Sequence, residues 1–369
     1  MIQWYLLTFG ISFLAALGLT RLMIPLARRW GYIDDPQSAP GRKMHQAPTP
    51  LLGGVAIIIS SWLSWGLAAR AGVLTSDILP PAHLLGLGLA SVLIIMIGVF
   101  DDRWHLAARW QFAGTLVAAL IVLATGVGVH FITNPLGGVW YLDHLRLMFF
   151  TWSGTTYHLV LWADLFTLLW LLGATYTTKI LDGLDGLVGG LGVIGSIIIF
   201  LLTLRPEVSQ PGVGVLALGL AGAAAGFLIW NWHPAKIFLG ESGSLYIGFM
   251  LGALSIISGG KIATALLILG LPILDLAWVI IQRLRRRASP FTTADRLHLH
   301  FRLLDAGLSV RQSVLLLYGL IAVFGFSTLF VRGAWKVVAL GGLLLVMVVL
   351  VWWVVRRTHR QPSPLSPNR

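Results

Sequence analysis

Acidic side chains that could bind a metal ion occur in three short groups of this sequence. Asp101 and Asp102 end the apolar run LIIMIGVFDDRW, and Asp182 and Asp185 stand three residues apart in KILDGLDGLVGG. Glu241 lies among glycines and serines in NWHPAKIFLGESGSLYIG. Mg²⁺ binds proteins through one or two carboxylates together with substrate phosphates. The sequence therefore predicts a Mg²⁺ site, with Mn²⁺ as the alternative cation, and a phosphorylated substrate.

Each acidic group also has a purely structural explanation. Asp101 and Asp102 fit a solvated helix end equally well, and Glu241 fits a helix N-terminal cap. Asp182 and Asp185 favour a functional role more strongly. Two carboxylates beside an apolar span are costly without a partner, and at this spacing they share one face of a helix.

Basic and histidine residues that could face phosphate lie in two polar segments. His298 and His300 in DRLHLHFR are two residues apart, which on an extended loop would turn both rings toward one phosphate. As a zinc site this pair is weak, since no further cysteine or histidine has ligand spacing. Arg42, Lys43 and His45 precede a helix start marked by prolines and glycines, where a phosphate cradle and a plain turn both fit.

The composition places these residues in a membrane protein. Of the 369 residues, 57% are hydrophobic, 11% are charged and none is cysteine, whereas soluble domains carry about 25% charged residues. We expect an all-α integral membrane protein with a transferase domain over residues 1–355 and a basic, disordered tail over residues 356–369. The apolar runs predict eleven spans, at residues 4–27, 52–69, 81–100, 107–130, 159–177, 184–204, 212–230, 244–259, 262–281, 314–331 and 335–355.

The charge distribution predicts the orientation of these spans. The chain carries 26 Lys and Arg against 14 Asp and Glu, a net charge of +12. With the N-terminus outside, about 20 of the cations fall on cytoplasmic segments, as the positive-inside rule requires. The predicted C-terminus is then cytoplasmic, and the acidic groups face the cytosol at the cell (inner) membrane. Because topology explains most of the positive charge, no nucleic-acid partner is expected.

Three glycines match the spacing of a nucleotide-binding motif but lack its structural context. Gly190, Gly192 and Gly195 read G-x-G-x-x-G, but they lie inside an apolar span and no strand precedes them. This context predicts helix packing rather than a dinucleotide site.

Five motifs together resemble a known enzyme family. In chain order they are GRKMHQAPTPLLGG, FDDRW, LDGLDGL, NWHPAKIFLGESGS and SPFTTADRLHLHFRLLDAGLS. They are similar to motifs of the polyprenyl-phosphate N-acetylhexosamine-1-phosphate transferase superfamily, glycosyltransferase family 4. DRLHLHF followed by GLS resembles the branch that initiates O-antigen, teichoic acid and other surface polysaccharides.

The resemblance implies a reaction and a set of site residues. A sugar 1-phosphate, of N-acetylglucosamine or a related N-acetylhexosamine, would pass from a UDP-sugar to undecaprenyl phosphate, releasing UMP. The implied catalytic residues are Asp101, Asp102, Asp182, Asp185, His298 and His300, and the implied metal ligands are Asp102, Asp185 and Glu241. The implied substrate-binding residues are Arg42, Lys43, His45, Lys179, Asn231, Lys236, Phe238 and Arg296. Expected partners are UDP-N-acetylhexosamine, undecaprenyl phosphate and membrane lipids, and a homodimer is left open.

The sequence departs from the family pattern near these positions. The family usually has asparagine where Tyr176 and Lys179 stand, aspartate where Glu241 stands and a third histidine where Phe301 stands. Glutamate keeps the charge and adds one methylene, so metal binding with shifted geometry is expected. Lys179 has a larger consequence, because a cation beside Asp182 would replace a hydrogen bond to phosphate or compete for the carboxylate.

Two alternative functions fit parts of the sequence. A transporter or flippase for an anionic lipid-linked sugar would need charged residues along a path through the bilayer. Asp164 and Asp275 lie within predicted spans, and Asp275 follows Pro272, which could mark a broken helix. Within the enzyme class, the alternative is the phospho-N-acetylmuramoyl-pentapeptide transferase of peptidoglycan synthesis, which the motifs resemble more distantly.

Overall fold

The described part of the chain is a bundle of helices with three pairs of short antiparallel strands. A computed structural model describes residues 1–38, 47–74, 79–134, 138–152, 155–259, 262–285, 297–331 and 333–360. Within these ranges the helices are α1 (Ile2–Trp30), α2 (Gly53–Arg70), α3 (Pro81–Trp104), α4 (Ala108–Ala124), α5 (Leu161–Leu181), α6 (Leu187–Thr203), α7 (Pro211–Asn231), α8 (Gly240–Ile257), α9 (Ile262–Arg285), α10 (Leu299–Asp305), α11 (Val310–Ser327) and α12 (Trp335–Arg360).

Each predicted span overlaps one helix of the described structure. Among the described residues, seven helices are long and apolar enough to cross a membrane, namely α1, α3, α7, α8, α9, α11 and α12, while α4 and α6 are shorter apolar helices. The prediction of a helical, multi-pass membrane protein is therefore confirmed. The count of eleven crossings and the orientation of the termini stay predictions. The short helix α10 was not predicted.

Strands occur where the sequence analysis expected none. β1 (Ile33–Asp34) pairs with β2 (Thr49–Pro50), β3 (Phe131–Thr133) with β4 (Val139–Tyr141), and β5 (Arg146–Trp152) with β6 (Thr155–Val160), all antiparallel. The span predicted over 107–130 ends early, because Gly126 adopts a left-handed φ of 92° that stops α4. The aromatic and β-branched residues that follow favour extended structure.

The predicted tail is helical at its start. Helix α12 continues to Arg360, five residues beyond the predicted end of the membrane domain. Arg356 and Arg357 stack on Trp352 and Trp353, at 3.9 Å and 5.2 Å from the ring centroids, which holds this last stretch in helical register. Residues 361–369 lie outside the described part of the chain.

Helix α8 forms the centre of the bundle. Seventeen of its 18 residues are buried, and Glu241 in its first turn is the exception. Side chains added at Gly54 of α2 or Gly98 of α3 would overlap the backbone of α8 at Gly243 and Ser242. Three helix backbones therefore meet at the first turn of α8, a close approach that only glycine permits.

The G-x-G-x-x-G motif of α6 also serves packing. A side chain at Gly190 would overlap the ring of Tyr318, and one at Gly195 would press on Leu251 and Ile268. The prediction of helix packing at this motif is confirmed.

Candidate active site

The predicted acidic residues come together at one end of the bundle. Asp101 and Asp102 lie in the last turn of α3, and Asp182 follows directly after α5. Glu241 lies in the first turn of α8. The charges of Glu241, Asp101 and Asp182 all act on Asp102, so these four carboxylates form one acidic cluster.

Asp102 is bound to the start of α8. Its Oδ1 accepts a hydrogen bond of 2.9 Å from the backbone N–H of Glu241, where the positive end of the helix dipole favours a carboxylate. Gly240 has a left-handed φ of 72°, and a Cβ there would lie 2.5 Å from Asp102 Oδ2. Oδ2 is fully buried and has no hydrogen-bond partner within the described ranges. One carboxylate oxygen is therefore available to a ligand of the cluster.

A polar chain connects Asp101 to Glu241. Gln111 of α4 donates through Nε2 to Asp101 Oδ1 at 2.8 Å and accepts through Oε1 from the ammonium of Lys179. Lys179 also forms an ion pair with Glu241 Oε1. Thr178 Oγ1 donates to the carbonyl of Ser244 at 2.8 Å and so fixes α5 against α8 beside this pair.

This arrangement differs in one respect from the sequence expectation. Lys179 was expected beside Asp182, but its ion pair is with Glu241, a different carboxylate of the same cluster. Gln111 was not anticipated at all. A single amide in the first turn of an apolar helix carries no spacing signal, and only the fold reveals that it bridges two charged groups.

Asp182 has an unusual environment. Its side chain is accessible to solvent, and the protein nevertheless surrounds it closely, so that it lies in a cleft open to water. Desolvation by this surrounding protein, with added repulsion from Glu241 and Asp185, raises the pKa of Asp182 to about 8. A carboxyl group of this kind exchanges its proton near neutral pH, which is the behaviour expected at a catalytic site.

Asp185 holds the loop that follows α7. Its Oδ2 accepts from the backbone N–H of Ala235 at 3.0 Å and lies 2.7 Å from His233 Nδ1. Arg311 of α11 donates to the carbonyl of His233 through Nε and Nη2, at 3.0 Å and 2.8 Å. These contacts give Asp185 a positioning role, while its role as a metal ligand stays a prediction. His233 lies within the quoted motif NWHPAKIFLGESGS and Arg311 lies two residues after the last quoted motif, but no spacing rule singled them out.

Asn231 joins two loops of the site. It is buried, its Oδ1 accepts from Gly186 N at 2.9 Å, and its Nδ2 donates to the carbonyl of Ile237 at 2.9 Å. Both ends of the amide are thus used inside the protein. Asn231 was expected to bind substrate, and these contacts fit a residue that shapes the site.

Phe238 and Lys236 occupy the same loop. The backbone N–H of Phe238 donates to the carbonyl of Pro50 at 2.8 Å, and its carbonyl accepts from Gly53 N at 3.1 Å. Lys236 is exposed, with its ammonium 5.1 Å from the ring centroid of Trp230. The loop therefore packs against β2 and the start of α2. The remaining predicted binding residues, Arg42, Lys43, His45 and Arg296, lie outside the described ranges.

The two histidines lie side by side at the start of α10. Their rings are nearly parallel, 10° apart in plane, with centroids separated by 5.7 Å. His300 is buried, and a side chain at Gly183, next to Asp182, would overlap its Nε2. Burial lowers the pKa of His300 to about 4, so this ring is neutral at pH 7. Phe301, which replaces a histidine of the family pattern, packs on His300 at 4.2 Å between centroids.

The cluster fits a hard divalent cation in part. Among the residues with described positions, no three His, Asp or Glu side chains form a ready-made metal site. Mg²⁺ does not require one, because it is bound by one or two carboxylates and completes its shell with water and substrate phosphates. The buried Oδ2 of Asp102 is an oxygen donor in need of a partner, and Glu241 lies in the same cluster.

The residues that supported a transporter have other roles in the fold. Asp164 Oδ2 accepts from Val160 N at 2.8 Å and so caps the start of α5. Asp275 Oδ2 lies 2.9 Å from His298 Nδ1. Helix α9 runs without interruption through Pro272, so the expectation of a broken helix was wrong.

Proteins with similar sequences include some that are named as polyprenyl-phosphate transferases. The family model described as "Glycosyl transferase family 4" matches residues 84–259, which contain all four carboxylates of the acidic cluster. The "Probable undecaprenyl-phosphate N-acetylglucosaminyl 1-phosphate transferase" of Bacillus subtilis (strain 168) is 32% identical over 334 residues, covering 88% of this chain and 84% of that protein.

Two further relatives span comparable lengths. The "Decaprenyl-phosphate N-acetylglucosaminephosphotransferase" of Mycolicibacterium smegmatis (strain ATCC 700084 / mc(2)155) is 33% identical over 372 residues, covering 91% of this chain and 87% of the relative. The "Phospho-N-acetylmuramoyl-pentapeptide-transferase" of Desulforamulus reducens (strain ATCC BAA-1160 / DSM 100696 / MI-1) is 32% identical over 323 residues, covering 83% of this chain and 89% of the relative.

Proposed function

Because this chain belongs to glycosyl transferase family 4, we propose that it transfers N-acetylglucosamine 1-phosphate, or a related N-acetylhexosamine 1-phosphate, from a UDP-sugar to undecaprenyl phosphate. UMP is the second product. The names of the relatives from Bacillus subtilis and Mycolicibacterium smegmatis, which refer to N-acetylglucosamine phosphate and a polyprenyl phosphate, support this class of donor and acceptor. The observation that carries the proposal is the acidic cluster, with Lys179 inside it, where α3 ends and α8 begins. Both of these helices are long and apolar enough to span a membrane.

The physical task of such a site is to bring two anions together. A lipid tail confines the acceptor phosphate to the membrane surface, and the UDP-sugar arrives from the aqueous side. Repulsion between the two phosphate groups raises the barrier, so positioning and charge neutralisation supply most of the catalysis. Lys179, Lys236 and His298 are the cations and donors that serve this purpose here, together with Arg42, Lys43, His45 and Arg296 from the predicted motifs.

We assign different tasks to the two adjacent aspartates. Asp102, with its buried and unpartnered Oδ2, and Glu241 would hold Mg²⁺, with Mn²⁺ as an alternative and Asp185 as a further predicted ligand. When bound, the cation neutralises charge on the pyrophosphate. Asp101, which is half-buried and accepts one hydrogen bond from Gln111, takes the proton of the lipid phosphate. Asp182 is the second proton-exchanging carboxyl group of the cleft.

The decisive experiment is a donor panel. The purified protein is incubated with undecaprenyl phosphate, Mg²⁺ and, in turn, UDP-N-acetylglucosamine, UDP-N-acetylgalactosamine and UDP-N-acetylmuramoyl-pentapeptide, and UMP release is measured. We expect release with a UDP-N-acetylhexosamine. Release with the pentapeptide donor alone supports the second candidate, which the Desulforamulus relative favours. No release with any donor supports a transporter.

The same assay separates two chemical routes. Direct attack by the lipid phosphate gives no exchange of labelled UMP into UDP-sugar when the lipid acceptor is omitted. A covalent aspartyl-phosphate intermediate gives such exchange, because the first half-reaction then runs without lipid.

The proposed setting is the cytosolic face of the cell membrane, where the product would start a surface glycan such as O-antigen, teichoic acid or another cell-wall polymer. The concentration of cations on the predicted cytoplasmic segments supports this orientation. Labelling of single cysteines introduced into this cysteine-free chain, at positions such as Ser38 and Gly138, would test which ends face the cytosol. Cross-linking through such cysteines would also test for a homodimer.

A further inference from the structure

Asp275 is a buried carboxylate inside an apolar helix. It lies in α9 with 4% of its surface exposed, and both of its oxygens point to the start of α10. Oδ2 lies 2.9 Å from His298 Nδ1, and Oδ1 accepts from the backbone N–H of Leu299 at 2.7 Å. The side chain of Asp275 therefore joins α9 to His298 and Leu299, which follow it by 23 and 24 residues in the sequence.

A carboxylate is an expensive choice for this position. Removing an ionised side chain from water costs several kcal/mol, and the cost is recovered only when hydrogen bonds satisfy both oxygens. If the purpose were only to join α9 to α10, a neutral side chain would be cheaper. The charge indicates that the state of the His298 ring is what Asp275 controls.

The hydrogen bond determines which nitrogen of His298 carries a proton. An ionised carboxylate only accepts, so Nδ1 must be the donor to Oδ2, and Nε2 is left for a second partner. A carboxylate at Nδ1 also accommodates a ring with protons on both nitrogens. With Nδ1–H held by Asp275, only that form also donates Nε2–H to a phosphate oxygen, and it brings a positive charge to the phosphate.

His298 is connected to the loop that carries Asp182 through the ring of His300. Its ring stacks on that of His300, whose Nε2 lies against Gly183, the neighbour of Asp182. Asp275, His298, His300 and the loop after α5 therefore form a continuous path of contacts.

From this geometry we propose that Asp275 is a positioning residue of the active site. It orients His298 with Nδ1–H toward α9, so that Nε2 is the nitrogen that meets a phosphate group of the substrate. The inference rests on the proposed phosphate-transfer function. It adds Asp275, which lies outside the five family motifs, to the residues of the active site.

Asp275→Asn tests this with almost no change in volume. The Leu299 N–H needs an acceptor and takes the amide oxygen, so the amide NH₂ then faces His298 Nδ1. This forces the proton to Nε2 and forbids the doubly protonated ring. We expect a loss of kcat/KM for UMP release of about 10- to 100-fold, the range seen when carboxylates that orient histidines are removed. Asp164→Asn, another acid inside a helix, is the matched control and should leave turnover unchanged.

A double-mutant cycle separates positioning from mere stability. In the His298→Gln background, Asp275→Asn should cost no further activity, whereas equal losses in both backgrounds would overturn the proposal. Asp275→Glu should recover part of the activity, because it restores an acceptor for Nδ1–H. Thermal unfolding of every variant in detergent identifies any that fail to fold.

A measurement that needs no activity completes the test. In protein labelled with ¹⁵N-histidine, with His298→Gln used for assignment, the His298 signals should report a proton on Nδ1 in the wild type and on Nε2 in Asp275→Asn. A wild-type ring protonated only at Nε2 would refute the inference even if UMP is released. If no donor gives UMP while the ring is protonated at Nδ1, the proposed function fails and the orienting role of Asp275 stands.

Discussion

Lys179 is placed to compete with the proposed divalent cation for Glu241, and replacing this lysine should change how the protein responds to metal. The ammonium lies between Glu241 and Gln111, with 23% of the Lys179 side chain and 14% of the Glu241 side chain exposed. Lys179→Met keeps most of the length of the side chain and removes its charge. Glu241 is then a partly buried carboxylate without its cation.

The electrostatics sets the size of the effect. At an effective dielectric constant of about 20, a unit charge about 5 Å from a divalent cation repels it by about 7 kcal/mol. Partial exposure, salt and movement of the lysine side chain reduce this to about 1.4 to 2.8 kcal/mol, which corresponds to about a 10- to 100-fold gain in metal affinity for Lys179→Met. Without metal, the unpaired Glu241 should destabilise the variant by about 1 to 3 kcal/mol.

Two measurements test this reasoning in the purified protein. Binding of Mn²⁺, followed by electron paramagnetic resonance, should be tighter in Lys179→Met than in the wild type. In EDTA, the unfolding temperature should be lower for the variant than for the wild type. Adding Mg²⁺ should raise the unfolding temperature more in the variant than in the wild type. Lys336→Met removes a lysine that donates to Thr264 Oγ1 at 3.1 Å, outside the acidic cluster, and is the matched control. Equal metal affinity in Lys179→Met and the wild type would refute the competition.

Three further predictions follow from single contacts of the fold. Asp102→Asn and Glu241→Ala should each reduce UMP release by at least about 100-fold while leaving membrane insertion intact, and near-normal turnover would contradict the assigned roles. Gly98→Ala should lower stability by about 1 to 3 kcal/mol, because its Cβ would overlap Ser242 of α8, whereas Gly18→Ala, where a Cβ meets nothing within 4 Å, should not. The pKa of His300 is about 4 in the folded protein and about 6.5 in an unfolded chain, so the unfolded state binds the proton more readily and stability is lost as the pH falls from 6.5 toward 4, by about 2 kcal/mol at pH 5. Unfolding temperatures of His300→Phe should therefore fall less between pH 7 and pH 5 than those of the wild type, and parallel curves would show that His300 is not the group responsible.

The sequence predicted the helices well because a bilayer leaves few other solutions. Every backbone polar group in lipid must be satisfied within its own segment, so a long apolar run is nearly equivalent to a helix. The strands between α4 and α5 were missed because the prediction rested on long apolar runs. These strands lie almost wholly between the spans predicted over 107–130 and 159–177, where no element was predicted. Aromatic residues such as Trp140 and Tyr141 favour strands there, but a run of three to seven residues is too short to register as a membrane span.

The carboxylates of the site were predictable from their cost, whereas their partners were not. Asp101, Asp102 and Asp182 stand out because acids beside apolar spans require a reason. Gln111 carries no charge, so nothing in the sequence distinguishes it from an amide at any helix end. Asn231 was expected at the site only through the family resemblance, and then as a substrate-binding residue. Their contacts with Lys179 and Gly186 depend on how α4 and α7 pack, which is a property of the whole fold.

Asp275 shows how the same physical rule leads to different functions. A carboxylate within an apolar helix was first a sign of a path through the bilayer, since charge at that depth has to serve something. The structure supplies the partner in His298, from a segment that follows α9 after a polar stretch of the chain. The requirement that a buried charge be paired was therefore a sound premise. What the sequence lacked was the packing of α10 against α9, which turns a candidate transport residue into a residue that orients a histidine of the acidic cleft.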